Sequence, residues 1–331
     1  MSVLFFLEDP GAVGFISQVL VELKKTNVNY HIMAKNHASR ILKEKELDFI
    51  EPKSEKSIED FFDKNKIKLV ITGTSQNVNS KGLFLIDFAK KKNIKTIGFV
   101  DSMADSELRF MGKSHTPLNH KPDFLIVPDI LTQNIFINLG FEKEKIIISG
   151  NPNYEAVINK RAELEKIDYQ KNKKDFFIKA KDKKIVVFID EHSNKNDPRL
   201  FKSKDYNFEG RKNSKNRNEV ISGEILNIFL DLGIEPFFVV KLHPKSDRLD
   251  YKNLLHEIDE FHSHGKTHNL IYAADLIIGM TSILLMESFL LGKDVISVIP
   301  QNSEKNWMPP SMLSHVDCAY NCHELKFLIN N

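Results

Sequence analysis

The feature that most constrains the fold of this chain is a regular alternation of short apolar runs with amphipathic segments. The first run, SVLFFLE at residues 2–8, is typical of a buried strand, and apolar side chains then recur at helical spacing from Val13 to Leu23. Further strands are predicted at VNYHIMA, DFIEP, KLVITGT, KTIGFVD, DFLIVPD and KIIISG, with helices near 37–44, 57–65, 81–92 and 130–139. Strands that alternate with helices predict an α/β fold with a parallel sheet covered on both faces.

The alternation breaks at Gly150-Asn151-Pro152, where a charged segment, 153–182, predicts a helix followed by a Lys-rich connector. It then resumes with strands at KIVVFIDE, EPFFVVKLH, DLIIG and DVISVIP, and with helices near 217–232, near 248–260 and over SILLMESFLLG. We therefore predict two Rossmann-like domains, 1–150 and 151–331, that face each other across a cleft. The polar stretch 192–218 is predicted to be a functional or mobile loop.

Composition excludes several classes of protein. A chain of 331 residues with 41% hydrophobic and 28% charged residues is typical of a soluble globular protein with one large or two ordinary domains. The net charge is +2 and the lysines are spread along the chain, so we expect no nucleic-acid partner. No apolar run approaches the roughly 18 residues that span a bilayer. The two cysteines form no disulfide framework, so a cytoplasmic location is expected.

The segment FFVVKLHPKSD, residues 237–247, begins as a buried strand and ends in basic residues. Pro244 lacks an N–H, so the strand is predicted to end near His243. That ending places His243, Lys241 and Lys245 at the carboxyl end of a strand, which is the ligand-binding edge of an open α/β sheet. The alternative is a solvated loop that happens to be basic.

A second strand end stands in ADLIIGMTSILLMESFLLG. The strand is predicted to end at Gly279, and Thr281 and Ser282 begin an apolar helix whose free N–H groups can bind an anion. A glycine there lets a phosphate approach the backbone closely, whereas the alternative is a simple helix N-cap. Glu287 is the one charged residue of ILLMESFLL; it is predicted to hold ribose hydroxyls or to face solvent.

These two segments, KLHP and YAADLIIGMTSILLMESFLLGKDVISV, together resemble the C-terminal half of bacterial GT-B glycosyltransferases of capsule and lipopolysaccharide assembly, such as sialyl-, Kdo- and polysialyltransferases. SGNPNY at 149–154 resembles the start of the second domain in the wider GT-B and nucleotide-sugar epimerase superfamily. The resemblance implies a GT-B fold in which 151–331 binds the donor and 1–150 the acceptor. It further implies metal-independent transfer of a sugar, from a CMP-linked acid sugar or a UDP-sugar, to a surface glycan.

The resemblance also assigns roles to residues of the second domain. His243 would bind or protonate the leaving phosphate, Thr281 and Ser282 would contact it, and Glu287 would bind the ribose. Lys241 and Lys245 would add positive charge, with Pro244 and Gly279 shaping the two strand ends. The nucleotide sugar would be a co-substrate and no cofactor is expected. The acceptor would be a glycan or lipid-linked glycan, which allows peripheral association with the inner face of a membrane.

The acceptor side is predicted from the first domain, where GFVDSMADSELRF places a carboxylate directly after a strand. Asp101 is the first choice for the base that removes the acceptor proton, ahead of Glu107, and Arg109 lies close behind. A helix-capping role is the alternative for Asp101. The second candidate is LEDPGAVGF, with Glu8, Asp9 and Gly11, which lacks the full G-x-G-x-x-G pattern of an NAD enzyme.

No metal site is predicted. The cluster HVDCAYNCH, with His315, Cys318, Cys322 and His323, matches no common zinc spacing. The histidines of HEIDEFHSHGKTH, residues 256, 262, 264 and 268, lack the H-E-x-x-H arrangement and favour a hydrophilic loop, although His264 or His268 could line the cleft. No Asp-x-Asp pair occurs.

Three functions other than glycosyl transfer remain open from the sequence. One is transfer of a polyol phosphate from a CDP-linked donor, since teichoic-acid-type polymerases also use His-Pro motifs. The second is a nucleotide-sugar epimerase of related architecture. The third is a non-catalytic subunit that binds a nucleotide sugar.

Overall fold

The computed structural model describes residues 2–103, 105–191, 206–214, 216–263, 265–308 and 310–331. The chain divides into two compact units, Met1–Glu155 and Ala156–Asn331. The strands are β1 Ser2–Leu7, β2 Asn29–Ala34, β3 Ile67–Gly73, β4 Lys95–Phe99, β5 Phe124–Val127, β6 Ile146–Ile148, β7 Ile185–Ile189, β8 Phe237–Lys241, β9 Glu260–His262, β10 Leu276–Gly279, β11 Val295–Val298 and β12 Asp317–Ala319. The helices are α1 Pro10–Leu23, α2 Asn36–Glu44, α3 Glu55–Asn65, α4 Lys81–Lys91, α5 Ile130–Asn138, α6 Pro152–Leu164, α7 Tyr169–Phe176, α8 Arg217–Asp231, α9 Thr267–Ala273, α10 Ile283–Leu290, α11 Pro310–Leu313 and α12 Cys322–Asn330.

The first unit is built on a six-stranded sheet in the order β2-β1-β3-β4-β5-β6, with every neighbouring pair parallel. All six residues of β1 are buried, as expected of a strand covered by helices on both faces. The chain passes from β1 to β2 on one side and then returns to β3 on the other. In open parallel sheets, ligands bind where the strand order reverses, which here is at the carboxyl ends of β1 and β3.

The second unit repeats this arrangement with a six-stranded parallel sheet in the order β12-β11-β10-β7-β8-β9. Strands β7, β8, β10 and β11 are buried along their whole length. The reversal of strand order falls between β7 and β10, so the same rule points to their carboxyl ends in this unit. The predicted α/β class, with two Rossmann-like parallel sheets, is confirmed.

The boundary between the units falls inside α6, between Glu155 and Ala156, whereas the sequence placed it at Gly150 and Asn151. The predicted Lys-rich connector contains α7, which is tied to the second sheet. The Asp275 carboxylate accepts hydrogen bonds from Tyr169 Oη (2.9 Å), Lys173 Nζ (2.7 Å) and the backbone N–H of Ile185 (2.7 Å).

The predicted helix near 248–260 is wrong. Only Arg248–Tyr251 forms a short 3₁₀ helix, and Glu260–His262 is instead the edge strand β9. The reason is an early return to the sheet: Asp259 accepts from the backbone N–H of Phe238 through its carboxylate and donates its own N–H to the Phe238 carbonyl. The segment DFIEP was also predicted as a strand, but the structure gives it only a single parallel bridge, between Ile50 and Met33. None of the described helices has the length and apolarity needed to cross a membrane.

Candidate functional site

The end of β7 anchors the His-Pro segment of the second unit. Asp190, directly after β7, is 2% exposed, and its carboxylate accepts from the backbone N–H of His243 (2.9 Å) and from Tyr251 Oη (2.7 Å). Burial raises the pKa of Asp190 to about 6, against the opposing effect of these hydrogen bonds. A buried carboxylate therefore fixes the backbone at the position from which His243 projects.

The His243 ring has a defined orientation. Its Nδ1 accepts from the backbone N–H of Lys245 at 3.1 Å, so a neutral ring carries its proton on Nε2. The Lys245 residue is exposed, while Pro244 is half-buried in the turn between them. The strand itself ends two residues before His243, at Lys241. The local geometry therefore makes His243 Nε2 a hydrogen-bond donor at the carboxyl edge of the sheet.

Lys241 is buried, and its ammonium bonds to backbone carbonyls. It is 7% exposed, and its ammonium donates to the carbonyl of Leu242 (2.9 Å) and to that of Ser263 (3.3 Å). These bonds tie the end of β8 to the segment that follows β9. The contacts of Lys241 therefore join two neighbouring strand ends.

The start of α10 is occupied by a carboxylate of the chain itself. Glu191 accepts a hydrogen bond from the backbone N–H of Thr281 and another, of 2.9 Å, from Thr281 Oγ1. Glu191 also accepts from Arg217 Nη1 (2.7 Å), and the other side of the same guanidinium bonds to Glu304. The sequence reasoning missed Glu191, Arg217 and Glu304, although Glu191 stands at a strand end by the same rule that identified Asp101.

Arg217 is the buried centre of this cluster. It is 2% exposed and lies between the carboxylates of Glu191 and Glu304. Burial alone would lower the pKa of Arg217, but the two carboxylates outweigh that effect and raise it above its ordinary value. The guanidinium therefore stays charged and holds Glu191 next to Thr281.

Ser282 and Gly279 complete the strand-to-helix turn. Ser282 is the N-cap of α10, and its Oγ accepts from the backbone N–H of Leu284 at 3.3 Å. A Cβ on Gly279 would lie 2.9 Å from Leu285 and 3.2 Å from Ile189. The space beside Gly279 is therefore used for packing of β7 and α10 against the turn.

Glu287 faces α9. It is 9% exposed, and its Oε2 lies 2.8 Å from Nε2 of His268. This pairing explains a carboxylate in an otherwise apolar helix. His264, the other histidine expected near the cleft, lies outside the described residues.

In the first unit, Glu8 follows β1 and is 6% exposed. It accepts hydrogen bonds from Ser80 Oγ and from the backbone N–H of Lys81 (3.4 Å), at the start of α4. Burial raises the pKa of Glu8, while these two hydrogen bonds oppose the shift. Glu8 thus connects the end of β1 to the start of α4, with the half-buried Asp9 beside it at the start of α1.

Asp101, two residues beyond the end of β4, belongs to a second group of contacting side chains at this edge of the sheet. Its Oδ1 accepts from Arg109 Nη1 (3.1 Å), and the same nitrogen donates to Thr74 Oγ1 (2.9 Å) after β3. Gly11 makes room for the carboxylate, since a Cβ there would lie 1.7 Å from Asp101 Oδ2. Glu107 is half-buried on the 3₁₀ helix Ser106–Leu108. The structure therefore brings Asp101 and Arg109 together with Gly11, which the sequence had placed in a separate candidate segment.

Other candidate features lie away from these edges. Within the described ranges, no group of three or more His, Cys, Asp and Glu side chains could hold a metal ion. Both cysteines are free, and Cys322 Sγ lies 3.0 Å from Glu224. A shallow hollow between α3 and α4, lined in part by Phe84 and Phe88, contains none of the predicted site residues. Most of the predicted loop 192–218, namely 192–205 and residue 215, lies outside the described residues.

Comparison with solved structures shows the GT-B-like fold. UDP-GlcNAc 2-epimerase of Methanocaldococcus jannaschii, in complex with UDP-GlcNAc and UDP, matches with a TM-score of 0.69 and 17% identity over 100% of this chain and 92% of that one. The Neisseria meningitidis UDP-GlcNAc 2-epimerase, bound to UDP-GlcNAc, gives 0.63 and 16% over 100% and 90%. Anabaena HepE in complex with UDP-glucose gives 0.65 and 11% over 100% and 89%. Comparison with protein-family models found no match, and comparison with curated proteins found none either.

These structures correct the functional prediction. The fold that spans the whole chain is that of proteins described as UDP-GlcNAc 2-epimerases, so the prediction of a glycosyltransferase is wrong. The narrower resemblance to sialyl-, Kdo- and polysialyltransferases is not supported, nor are a glycan acceptor and a membrane association. The physical reason is that a His-Pro turn and a hydroxyl-capped helix suit a nucleotide phosphate whatever happens to the attached sugar.

Proposed function

We propose that this protein is a nucleotide-sugar epimerase that acts on a UDP-linked sugar. The observation that carries the proposal is the whole-chain match to UDP-GlcNAc 2-epimerases, which extends over both units and leaves no part of this chain uncovered. In this proposal residues 151–331 bind the nucleotide, and residues 1–150 supply the groups that act on the sugar.

The second unit offers suitable groups for UDP at the carboxyl ends of β7, β8 and β10. His243 Nε2 can donate to a phosphate oxygen, and the N-terminus of α10, which follows Thr281 and the N-cap Ser282, supports negative charge through its N–H groups. Glu287, further along α10, would accept hydrogen bonds from the ribose hydroxyls. A diphosphate that uses the Thr281 N–H would displace Glu191, because that N–H donates to the Glu191 carboxylate.

The first unit offers a reacting group for the sugar. An epimerase that works by proton exchange needs a base to remove a proton from one face of a carbon and an acid to return one to the other face. The Asp101 side chain is 26% exposed and oriented by Arg109, so a substrate can reach it. Glu8 is buried beneath the start of α4, which suits a supporting role.

The proposal is tested by incubating the protein with UDP-GlcNAc in D₂O and recording proton NMR spectra. We expect a second UDP-sugar with an inverted ring carbon, with deuterium incorporated at that carbon. The Asp101→Asn variant should lose most of the turnover while keeping UDP affinity. Unchanged UDP-GlcNAc without deuterium, despite measurable UDP binding, would contradict an epimerase and support a non-catalytic binding subunit.

A further inference from the structure

Glu287 and His268 form a hydrogen-bonded pair between two helices of the second unit. The Oε2–Nε2 distance is 2.8 Å, and the exposed fractions of the two side chains are 12% and 29%. Glu287 lies on α10 and His268 lies in the first turn of α9. The pair is thus largely shielded from water, where a charge-assisted hydrogen bond is stronger than one at an exposed surface.

The pair lies near the edge that holds the other site residues. Helices that follow parallel strands begin at the carboxyl edge of the sheet, and α9 and α10 follow β9 and β10 respectively. Glu287 stands five residues after Ser282, which corresponds to about 7.5 Å along the helix axis. That separation suits a nucleotide whose phosphates lie at Ser282 and whose ribose lies beside the second turn of α10.

We infer that His268 is a positioning residue that orients the Glu287 carboxylate toward the ribose hydroxyls of a bound nucleotide. The inference rests on the proposed function, since it places the ribose beside α10. A carboxylate can accept about four hydrogen bonds, and His268 supplies one of them from the side of α9. Because the ring restricts rotation of the carboxylate, less conformational freedom is lost when hydroxyl groups bind.

The inference predicts that His268 controls how strongly the protein prefers a ribonucleotide. The experiment measures calorimetric affinities for UDP and for 2′,3′-dideoxy-UDP, which lacks both ribose hydroxyls. The wild-type protein should bind UDP about ten-fold or more tightly, as expected for hydrogen bonds to a charged group. Glu287→Ala should abolish the preference, and His268→Ala should reduce it at least about three-fold. His268→Gln should restore part of it, because its amide can donate to Glu287.

His262 provides a matched control. It also pairs with a glutamate, Glu260 at 3.1 Å, and its side chain is 27% exposed, close to that of His268. His262→Ala should leave the ratio of the two affinities unchanged, even if its thermal stability falls as much as that of His268→Ala. A preference in wild type that survives in His268→Ala would overturn the inference and leave the proposed function intact. Absence of UDP binding to the wild-type protein would overturn the proposed function as well.

Discussion

Glu191 is the residue that most alters the interpretation of the proposed nucleotide site. It places a carboxylate on the backbone N–H and the hydroxyl of Thr281, the groups that a phosphate would use. Arg217 Nη1 donates to the same carboxylate at 2.7 Å and helps to hold it there. Two anions cannot share one N–H without strong repulsion, so the proposed function predicts that a diphosphate binding at Thr281 releases Glu191 from it. Removal of Glu191 would leave Arg217 with less compensating charge and more attraction for a phosphate.

Asp190 predicts a pH dependence of stability. Its pKa is about 6 in the folded protein against an ordinary value of 3.8, so between these values the folded state binds more protons than the unfolded state. The free energy of unfolding contributed by this group is therefore highest below pH 4 and falls as the pH rises through 6, by about 3 kcal/mol in all. Asp190→Asn removes this dependence and keeps an acceptor for the N–H of His243.

Urea unfolding of wild type and Asp190→Asn at pH 4.5 and pH 7.5 checks the sign. The free energy of unfolding of wild type, taken relative to the variant, should be lower at pH 7.5 than at pH 4.5. A difference that is the same at both values would show that Asp190 does not titrate in this range.

At the residue scale, the sequence located the groups that stand at strand ends but not their partners. His243, Thr281 and Asp101 could be identified because each follows a buried strand. The contact of Thr281 with Glu191 joins residues 90 positions apart, and that of Arg217 with Glu304 joins residues 87 apart. Such pairs depend on how strands are ordered in the sheet, which a single sequence does not specify.

At the scale of elements, the buried strands were the best predicted features because their apolar runs reflect cover on both faces. The helix predicted near 248–260 is absent, although Tyr251, Leu254 and Ile258 have helical spacing. These three side chains are buried, but the backbone that carries them beyond the short 3₁₀ helix forms turns. An edge strand as short as Glu260–His262 has no alternating pattern long enough to detect. Short edge elements are therefore determined by tertiary pairing more than by local sequence.

Helix α1 provides a prediction at this scale through its two glycines. Gly11→Ala puts a Cβ 1.7 Å from the Asp101 carboxylate, which Arg109 holds in place, so Asp101 must move. We expect turnover of UDP-GlcNAc to fall about 10²-fold, as a displacement of about 1 Å of a reacting group can cause. The measurement is kcat alongside the melting temperature.

Gly14→Ala is the matched control in the same helix. Its Cβ would meet Asn153 at 3.7 Å, which is ordinary contact. This change should keep turnover and stabilise the protein by up to about 1 kcal/mol, because alanine favours a helix. Equal kinetics for the two variants would show that the position of Asp101 has no bearing on turnover.

At the scale of the whole molecule, the sequence predicted two parallel α/β units and a GT-B-like fold, and the structure confirms both. The prediction of glycosyl transfer was wrong because the motifs on which it rested, the His-Pro turn and the hydroxyl-capped helix, suit a nucleotide phosphate and say nothing about the sugar. A strand end suited to a phosphate does not specify whether the sugar of a nucleotide sugar is transferred or inverted. That choice depends on the groups opposite the sugar, for which the sequence offered only Asp101, Glu107, Glu8 and Asp9.

The most direct test of the account is a crystal structure of this protein with UDP bound. The account predicts the diphosphate at the start of α10, in contact with Thr281 and His243, with the Glu191 carboxylate moved off the Thr281 N–H. It also predicts the ribose beside Glu287. Diphosphate bound only against residues 1–155, or bound in the second unit with Glu191 still on Thr281, would contradict it.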